Sequence, residues 1–518
     1  MTITTTVTTT GVGSTIRVDQ IPSTLTTFTI IATASGNDTL IGLDQTNAWS
    51  ITGADSGSLA GTPTLNFSGV ENLTGRTGAD TFTFSNGGSL SGLIDGGIGA
   101  VDVVDYSAST TGVTVDLRTG PYRNIETLKG SLGIDTLVGP NMDNLWHVIG
   151  PGSGTIGGLA FSGIENLTGG SGADDFQLSA AAVISRIDGG AGRNTLELTT
   201  TDAPDIVVAG APTLAWNGTT TAYANVLTLD INTFGASDRI TVNPAAVGFP
   251  ENVNINSGLG NDQITVNLLA GVATTINVDG GAPIANDTLL VKGTAGPDVI
   301  AVDGLEVTFD KTQVVMTAIK NLTVDGGGGN DQLNLTGTTV SGTVSLLGEG
   351  DHNTITLNNP TVPGSLVVDG GTGAANALVV NLSDAADTVT LGAETLTVTA
   401  KFTARYHHFA SLDLETMGGE DHVTVTNTHA GTTAVSTGDG IDTVTIQNTA
   451  GPLNVATGDG TDTINVQAIG ASATIDAGAG EDTVNIGSKY RCISFQVLVG
   501  RNAIPSRTVW QTVLHGNL

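Results

Sequence analysis

Three turns near the end of the chain, Gly438-Asp-Gly-Ile-Asp442, Gly458-Asp-Gly-Thr-Asp462 and Gly478-Ala-Gly-Glu-Asp482, recur at a fixed 20-residue spacing. Glycine permits positive φ and close backbone approach, so such turns can turn carbonyl oxygens toward one concave spot. The aspartate closing each turn adds a carboxylate. Calcium takes about six to eight oxygen ligands at roughly 2.3–2.6 Å and accepts mixed carbonyl and carboxylate shells. One turn supplies too few, whereas two stacked turns supply enough. The predicted calcium ligands are therefore Asp442, Asp462 and Asp482, with Asp439 and Asp459 inside the same turns and Asp421 at the same place in an earlier copy. The glycines Gly438, Gly440, Gly458, Gly460, Gly478 and Gly480 shape the site. Asp174, Asp262 and Asp331 are weaker candidates of the same kind. Unit charges about 5 Å apart repel by roughly 1 kcal/mol in water and by several times more when shielded from it. A register-matched file of aspartates thus calls for a cation. The competing reading needs no metal: Asp and Asn in glycine turns commonly accept hydrogen bonds from nearby backbone amides. That reading is preferred for Asp38, Asp80, Asp135 and Asp174, whose sequence spacing is too wide for direct stacking.

The elements that would position these turns are short strands. After each turn comes an alternating segment, Thr443-Val-Thr-Ile446, Thr463-Ile-Asn-Val466 or Thr483-Val-Asn-Ile486. Period-two alternation of β-branched residues marks a half-buried strand. A weaker strand ends at Val435, Val455 or Ile475, so a coil reads strand, turn, strand, glycine turn. A single coil cannot bury its apolar face, and stacking at about 4.8 Å creates a continuous thin core. The predicted fold is all-β: a parallel β-solenoid, β-roll-like or β-helix-like, with coils of about 20 residues, preceded by a duplicated β-rich region. In that region Trp49, Phe67-Ser-Gly-Val-Glu-Asn-Leu-Thr-Gly75 and Ile94-Asp-Gly-Gly97 return as Trp146, Phe161-Ser-Gly-Ile-Glu-Asn-Leu-Thr-Gly169 and Ile187-Asp-Gly-Gly190. The segments are a Thr-rich start (1–34), the duplicated region (35–200), the solenoid (201–488) and a basic, aperiodic tail (489–518). Positions 352 and 375, where an aspartate would close the turn, are His and Ala.

Composition narrows the function. There are 72 glycines, 4% aromatic residues and a net charge of −32. With no basic stripe to displace phosphate counterions, nucleic acid is excluded as a partner, and an anionic membrane is equally unsuited. The single cysteine, Cys492, rules out an internal disulfide framework. No apolar run approaches the roughly 20 residues of a membrane span, and the Thr-rich start is unlike a signal peptide.

Catalytic patterns are missing from the sequence. His147, His352, His407, His408, His422, His429 and His515 show no metalloprotease spacing. The patch Arg405-Tyr-His-His-Phe409 reads as an insertion. The glycine turns precede strands, unlike dinucleotide-binding loops. Trp49 and Trp146, at equivalent repeat positions, read as core residues before sugar platforms. The leading enzymatic alternative is a carbohydrate-active β-helix of the lyase or epimerase type, which typically needs a basic groove that this chain lacks.

The turns resemble the RTX, or hemolysin-type, calcium-binding repeat, Gly-Gly-x-Gly-x-Asp-x-apolar-x. Gly169-Gly-Ser-Gly-Ala-Asp174 and Gly326-Gly-Gly-Gly-Asn-Asp331 match its first six positions, and other copies lose the first glycine to Ser257, Thr437, Thr457 or Ala477. The duplicated region is similar to units of very large bacterial surface and secreted proteins. The resemblance implies a calcium-dependent, non-enzymatic, structural or adhesive protein, extracellular after type I secretion, with cell-surface glycans or matrix as partners. A metal-free solenoid adhesin is the further alternative. Family arrays place a glycine turn on both sides of each coil. Here it falls once per coil, so ions are expected on one side only.

Overall fold

The computed structural model describes residues 4–9, 13–20, 27–33, 36–61, 63–281, 285–487 and 495–498. The regular structure is nearly all β, with 52% of the residues in short strands, many of them parallel, and the sheets do not close into a barrel. The β-solenoid expected from the repeats is the fold observed. Two short 3₁₀ turns, Val18–Gln20 and Leu117–Thr119, are the only helical segments among the described residues. The chain forms two compact units, residues 1–235 with 245–256, and residues 236–244 with 257–518.

In the second unit the coil has two faces. Strands Thr432–Ser436, Leu453–Ala456 and Ala473–Asp476 stack in parallel on the first. Thr443–Ile446, Thr463–Val466 and Thr483–Ile486 stack on the second, placing Thr443, Thr463 and Thr483 in one row and Val444, Ile464 and Val484 in the next. Alternation sends Val444, Ile446, Ile464 and Val435 inward, where they are fully buried. The threonines and asparagines point outward, and Asn485 Nδ2 donates to Asn465 Oδ1 at 2.8 Å along the outer surface. Each coil thus contributes two or three small aliphatic side chains per face to a thin core. The coil is 20 residues long at the end of the chain and at Asp174–Asn194. It lengthens to 22 and 23 residues at Asp331–Asn353–Asn376, and to 24 and 25 at Asp238–Asp262–Asp287. Residues 489–518 fall largely outside the described residues, but Phe495–Leu498 adds a parallel strand beside Ala473–Asp476.

At five places among the described residues the chain makes an antiparallel three-stranded meander instead of one strand. The meanders span Ala48–Ser68, Asn144–Ser162, Ile206–Ala224, Val299–Thr317 and Thr388–His407. In the fourth, Thr312–Thr317 pairs in parallel with the preceding Thr274–Asp279, and Val299–Gly304 with the following Gln332–Thr338. The middle strand Glu306–Phe309 is sandwiched antiparallel between them. A meander therefore adds two rungs to one face without breaking the stack. Arg405-Tyr-His-His-Phe409, expected in an insertion, lies at the end of the fifth.

In the first unit the two meanders of the duplication carry matching cores. Trp49 stacks on Phe82 and meets Phe67 edge-on, as Trp146 does with Phe176 and Phe161. Trp49 and Trp146 are at most 1% exposed, so they are core residues.

Candidate metal site

Each turn-closing aspartate is the first inward-pointing residue of the strand that follows it. Asp442 shares the inner side of its strand with Val444 and Ile446, and Asp421, Asp442 and Asp462 are buried. Asp482 is half-buried. The four lie in direct register: Asp421 N donates to Asp442 Oδ1 at 2.9 Å, Asp442 N to Asp462 Oδ1 at 2.9 Å, and Asp462 N to Asp482 Oδ1 at 3.1 Å. Asp439 and Asp459 are not brought to this file. Two-residue bridges at Asp439–Gly440 and Asp459–Gly460 stack the turns on each other, and both side chains are exposed.

The turn glycines are needed for that stacking. Gly438, Gly458 and Gly478 hold φ of +84°, +81° and +71°. A Cβ at Gly458 would sit 2.1 Å from Gly438 O, and one at Gly480 would sit 1.5 Å from Gly460 O. Gly440 and Gly460 are equally closed, by Gly419 O and Gly440 O. These carbonyls therefore lie along the stack, each against the next coil's glycine, and do not converge on one spot within a turn.

Asp38, Asp80, Asp135 and Asp174, expected to be too far apart to stack directly, are each joined to an intervening Asp, Asn or Glu of the file and not to one another. Asn47 N donates to Asp80 Oδ1 and Asp80 N to Asp102 Oδ1, both at 2.7 Å. Asp38, Asp102 and Asp135 give their amides to Glu71, Glu126 and Glu165 Oε2 at 2.7–2.8 Å. Asp174 N donates to Asn194 Oδ1 at 3.0 Å. In the second unit Asp262 N reaches Asp287 Oδ1, and Asp298 N, Asp331 N and Asn353 N reach Asp331, Asn353 and Asn376 Oδ1, each at 2.9 Å. The file position after Asp331 is thus Asn353 and then Asn376, one residue beyond His352 and Ala375. These asparagines, and Glu71, Glu126 and Glu165, were not anticipated. The repeated Glu-[Asn/Thr]-Leu-x-Gly run and an Asn directly before each strand were the available signals.

The file is also not confined to one side of the coil. Asp262, Asp287, Asp421 and Asp442 precede second-face strands, whereas Asp298, Asp331, Asn353 and Asn376 precede first-face strands. The switch falls at a meander, where two such residues follow one another after half a coil, as in Asp287 and Asp298 or Asn376 and Asp387. Where the last coils leave the opposite corner without a carboxylate, buried threonines cap it. Thr428 Oγ1 accepts from Ala450 N and Gly451 N, and Thr449 Oγ1 from Gly470 N and Ala471 N.

With Oδ1 committed to a neighbouring amide, the chemistry rests on the second side-chain atom. In the asparagine rungs it is a donor. Asn353 Nδ2 donates to Gly348 O, Gly350 O and Gly370 O at 2.7, 2.5 and 3.2 Å. Asn376 Nδ2 reaches Gly371 O, Gly373 O and His408 O at 3.2, 3.0 and 3.1 Å. Asn47 Nδ2 reaches Leu43 O, Gln45 O and Gly75 O. The corner is therefore a cage of backbone carbonyl oxygens. In the aspartate rungs the equivalent atom is Oδ2, an acceptor, and in Asp38, Asp80, Asp262, Asp287, Asp331, Asp387, Asp442, Asp462 and Asp482 this buried oxygen has no hydrogen-bond partner. Beside Gly75 the position a Cβ would fill lies 2.1 Å from Asp80 Oδ2 and 2.4 Å from Gly96 O. Two oxygens thus face one small space without a donor between them.

Burial is the main reason the carboxyls of Asp80, Asp102, Asp174, Asp287, Asp421, Asp462 and Asp482 are pushed above the usual range. Burial, helped by the charges of Asp298, Asp325 and Asp351, moves Asp331 to about 6. The donor set is all oxygen, which suits a hard cation such as calcium. No group of three or more His, Cys, Asp or Glu side chains among the described residues is arranged to hold a metal. Carbonyl oxygens must accordingly make up most of any shell, and the residues of the Asp80 and Asp331 corners fit that requirement.

A second feature is an open pocket of about 340 Å³ lined by Glu394, Tyr406, His407, His408 and His429. His408 pairs with Asp369 at 2.7 Å, Tyr406 OH donates to Gly392 O, and burial lowers the pKa of His429.

The chain matches no protein-family model, and no curated protein matches it as a relative. The class defined by fold and site is therefore a β-solenoid with an internal file of Asp and Asn side chains.

Proposed function

We propose that this chain is a non-enzymatic, calcium-binding structural or adhesive repeat protein of the extracellular space, of the hemolysin-type repeat class and exported by a type I route. One observation carries the reading. Asp331, in the strict motif Gly326-Gly-Gly-Gly-Asn-Asp331, is buried with Oδ2 unpartnered, at the position where Asn353 on the next rung directs an amide into carbonyl oxygens. A buried anion facing acceptors is strongly unfavourable unless a cation or proton intervenes. When bound, calcium supplies that positive charge, and Asp331 and the turn carbonyls hold it. The corners thereby become cross-links between coils. A surface offering stacked Thr and Asn rows and a net charge of −32 suits a scaffold or adhesin. A pocket of about 510 Å³ in the first unit is lined by Glu126 and Asp143 with no Lys or Arg, a poor cradle for an acidic polysaccharide.

The test is thermal unfolding followed by circular dichroism, in calcium and in chelator. A ligand that binds only the folded state stabilises it by about 2.7 kcal/mol per site at a hundred times its Kd. The melting temperature is expected to rise with calcium and fall again on chelation. Identical melts in the two buffers would favour a metal-free solenoid adhesin. That second reading is supported by the engagement of every Oδ1 along the file at Asp421–Asp482 by a neighbouring amide.

A further inference from the structure

Not all corners of the file are equivalent, and the difference lies in what meets the second side-chain atom. In one class the atom is an amide nitrogen, as at Asn47, Asn353 and Asn376, and the carbonyl cage is already filled by donors. In a second class the carboxylate receives a donor from its own turn. Ser131 N, Gly170 N and Thr294 N reach Asp135, Asp174 and Asp298 Oδ2 at 2.6, 2.9 and 2.5 Å. In a third class a threonine replaces the glycine five residues before the aspartate. Its Cβ and hydroxyl then stand where the glycine corners keep open space. Thr416 Oγ1 donates to Asp421 Oδ2 at 2.5 Å, and the hydroxyls of Thr437 and Thr457 donate to Thr457 O and Ala477 O at 3.2 and 3.1 Å.

Two corners that keep this glycine and have fully described turns fall in none of these classes, whereas Asp262, Asp387 and Asp482, whose Oδ2 is also unpaired, carry Ser257, Leu382 and Ala477 in its place. Gly75–Asp80 and Gly326–Asp331 keep the glycine, and both aspartates are at most 1% exposed with Oδ2 unpaired. A Cβ would come within 2.1 Å of that oxygen at Gly75 and within 2.6 Å at Gly326.

We infer that a hard divalent cation is taken at the open corners Gly75–Asp80 and Gly326–Asp331, and that the Asn and donor-filled corners are closed to it by their own donors. The Thr corners, including Asp442 and Asp462 whose Oδ2 is itself unpaired, are closed to it by the threonine side chain standing in place of the glycine. This rests on the calcium reading above and relocates its sites. The asparagine rungs act as the chain's own stand-in for the ion, since an amide Nδ2 carries positive hydrogens into the same oxygens.

The experiment is calcium titration of the full chain by calorimetry, with stoichiometry as the readout, beside melts in chelator. Asp80→Asn and Asp331→Asn introduce a residue the file already accommodates at Asn353 and Asn376. Each is expected to lower the stoichiometry by one ion per chain and to raise the melting temperature in chelator. Gly326→Ala, which closes the cradle and leaves the carboxylate, is expected to lose the same ion without that rise. Asp442→Asn should leave the stoichiometry unchanged. If Asp442→Asn or Asp462→Asn removes ions and the Asp80 and Asp331 variants do not, the assignment of corners is overturned while calcium binding stands. A parent chain that binds no calcium at all overturns both.

Discussion

Asp331 and Asn353 sit on adjacent rungs, hydrogen-bonded Asp331 N to Asn353 Oδ1, and differ in substance by one atom, an oxygen in place of an NH₂. The asparagine is neutral and complete, whereas the aspartate carries a charge that its surroundings do not answer. A proton on Asp331 Oδ2 would restore the asparagine-like state. Its pKa, about 6 in the folded chain against 3.8 when unperturbed, means the folded state binds that proton more tightly than the unfolded chain does. The penalty is therefore absent below about pH 4, grows as pH rises and is complete above about pH 6. The other raised aspartates of the file act in the same direction. In chelator, melting temperature is expected to fall between pH 4 and pH 7, with a smaller fall in Asp331→Asn. Melts across that range check this, and an unchanged slope in the variant would remove Asp331 as its source. Calcium should flatten the slope, because the ion replaces the proton.

The glycine turn, the strand after it and the stacking of both were legible in the sequence, because period-two alternation and fixed glycine spacing follow directly from backbone geometry. The turn chemistry makes a sharp expectation. Gly458→Ala places a Cβ 2.1 Å from Gly438 O at a φ of +81°, which should cost about 1–3 kcal/mol or more, read by urea unfolding. Thr449→Ala, which removes the acceptor for Gly470 N and Ala471 N, should cost about 1–2 kcal/mol. If Gly458→Ala proves neutral, the turns cannot be packed as tightly as the geometry requires. The meanders were less legible. Strands such as Thr312–Thr317 and Glu306–Phe309 alternate like any other, and alternation does not reveal whether a strand runs with or against its neighbour. Their one local mark is a second Asp or Asn half a coil after the first, as at Asp287 and Asp298. The aspartates at 80, 135 and 174 do not meet one another, because Asp102, Glu165 and Asn194 take the next position of the file in each case. Asn353 and Asn376 escaped notice for a chemical reason. Calcium chemistry singles out carboxylates, while the backbone amide of the neighbouring rung asks only for an acceptor oxygen, which asparagine supplies equally well.

Across the whole molecule, each coil pairs chiefly with its neighbours, so stability is close to a sum of coil and interface terms. Stacking in register superimposes like residues, and with them like charges. Glu197 lies beside Asp230 on paired strands, and the aspartate file repeats the arrangement at the corners. With a net charge of −32, long-range repulsion opposes every interface a little. Two cation effects should therefore be separable. Raising monovalent salt from about 0.01 M to about 0.15 M shortens the screening length from about 30 Å to about 8 Å. That weakens repulsion between exposed carboxylates but does little for Asp80 or Asp331, whose oxygens are closed to solvent. Sodium chloride in chelator is accordingly expected to give a modest, gradual rise in melting temperature that Asp80→Asn and Asp331→Asn leave untouched. Calcium at matched ionic strength should add a saturable rise that the same two substitutions remove. If sodium chloride reproduced the full effect of calcium in the parent chain, diffuse screening of the acidic surface would account for it, and the open corners would have no part in holding the coils together.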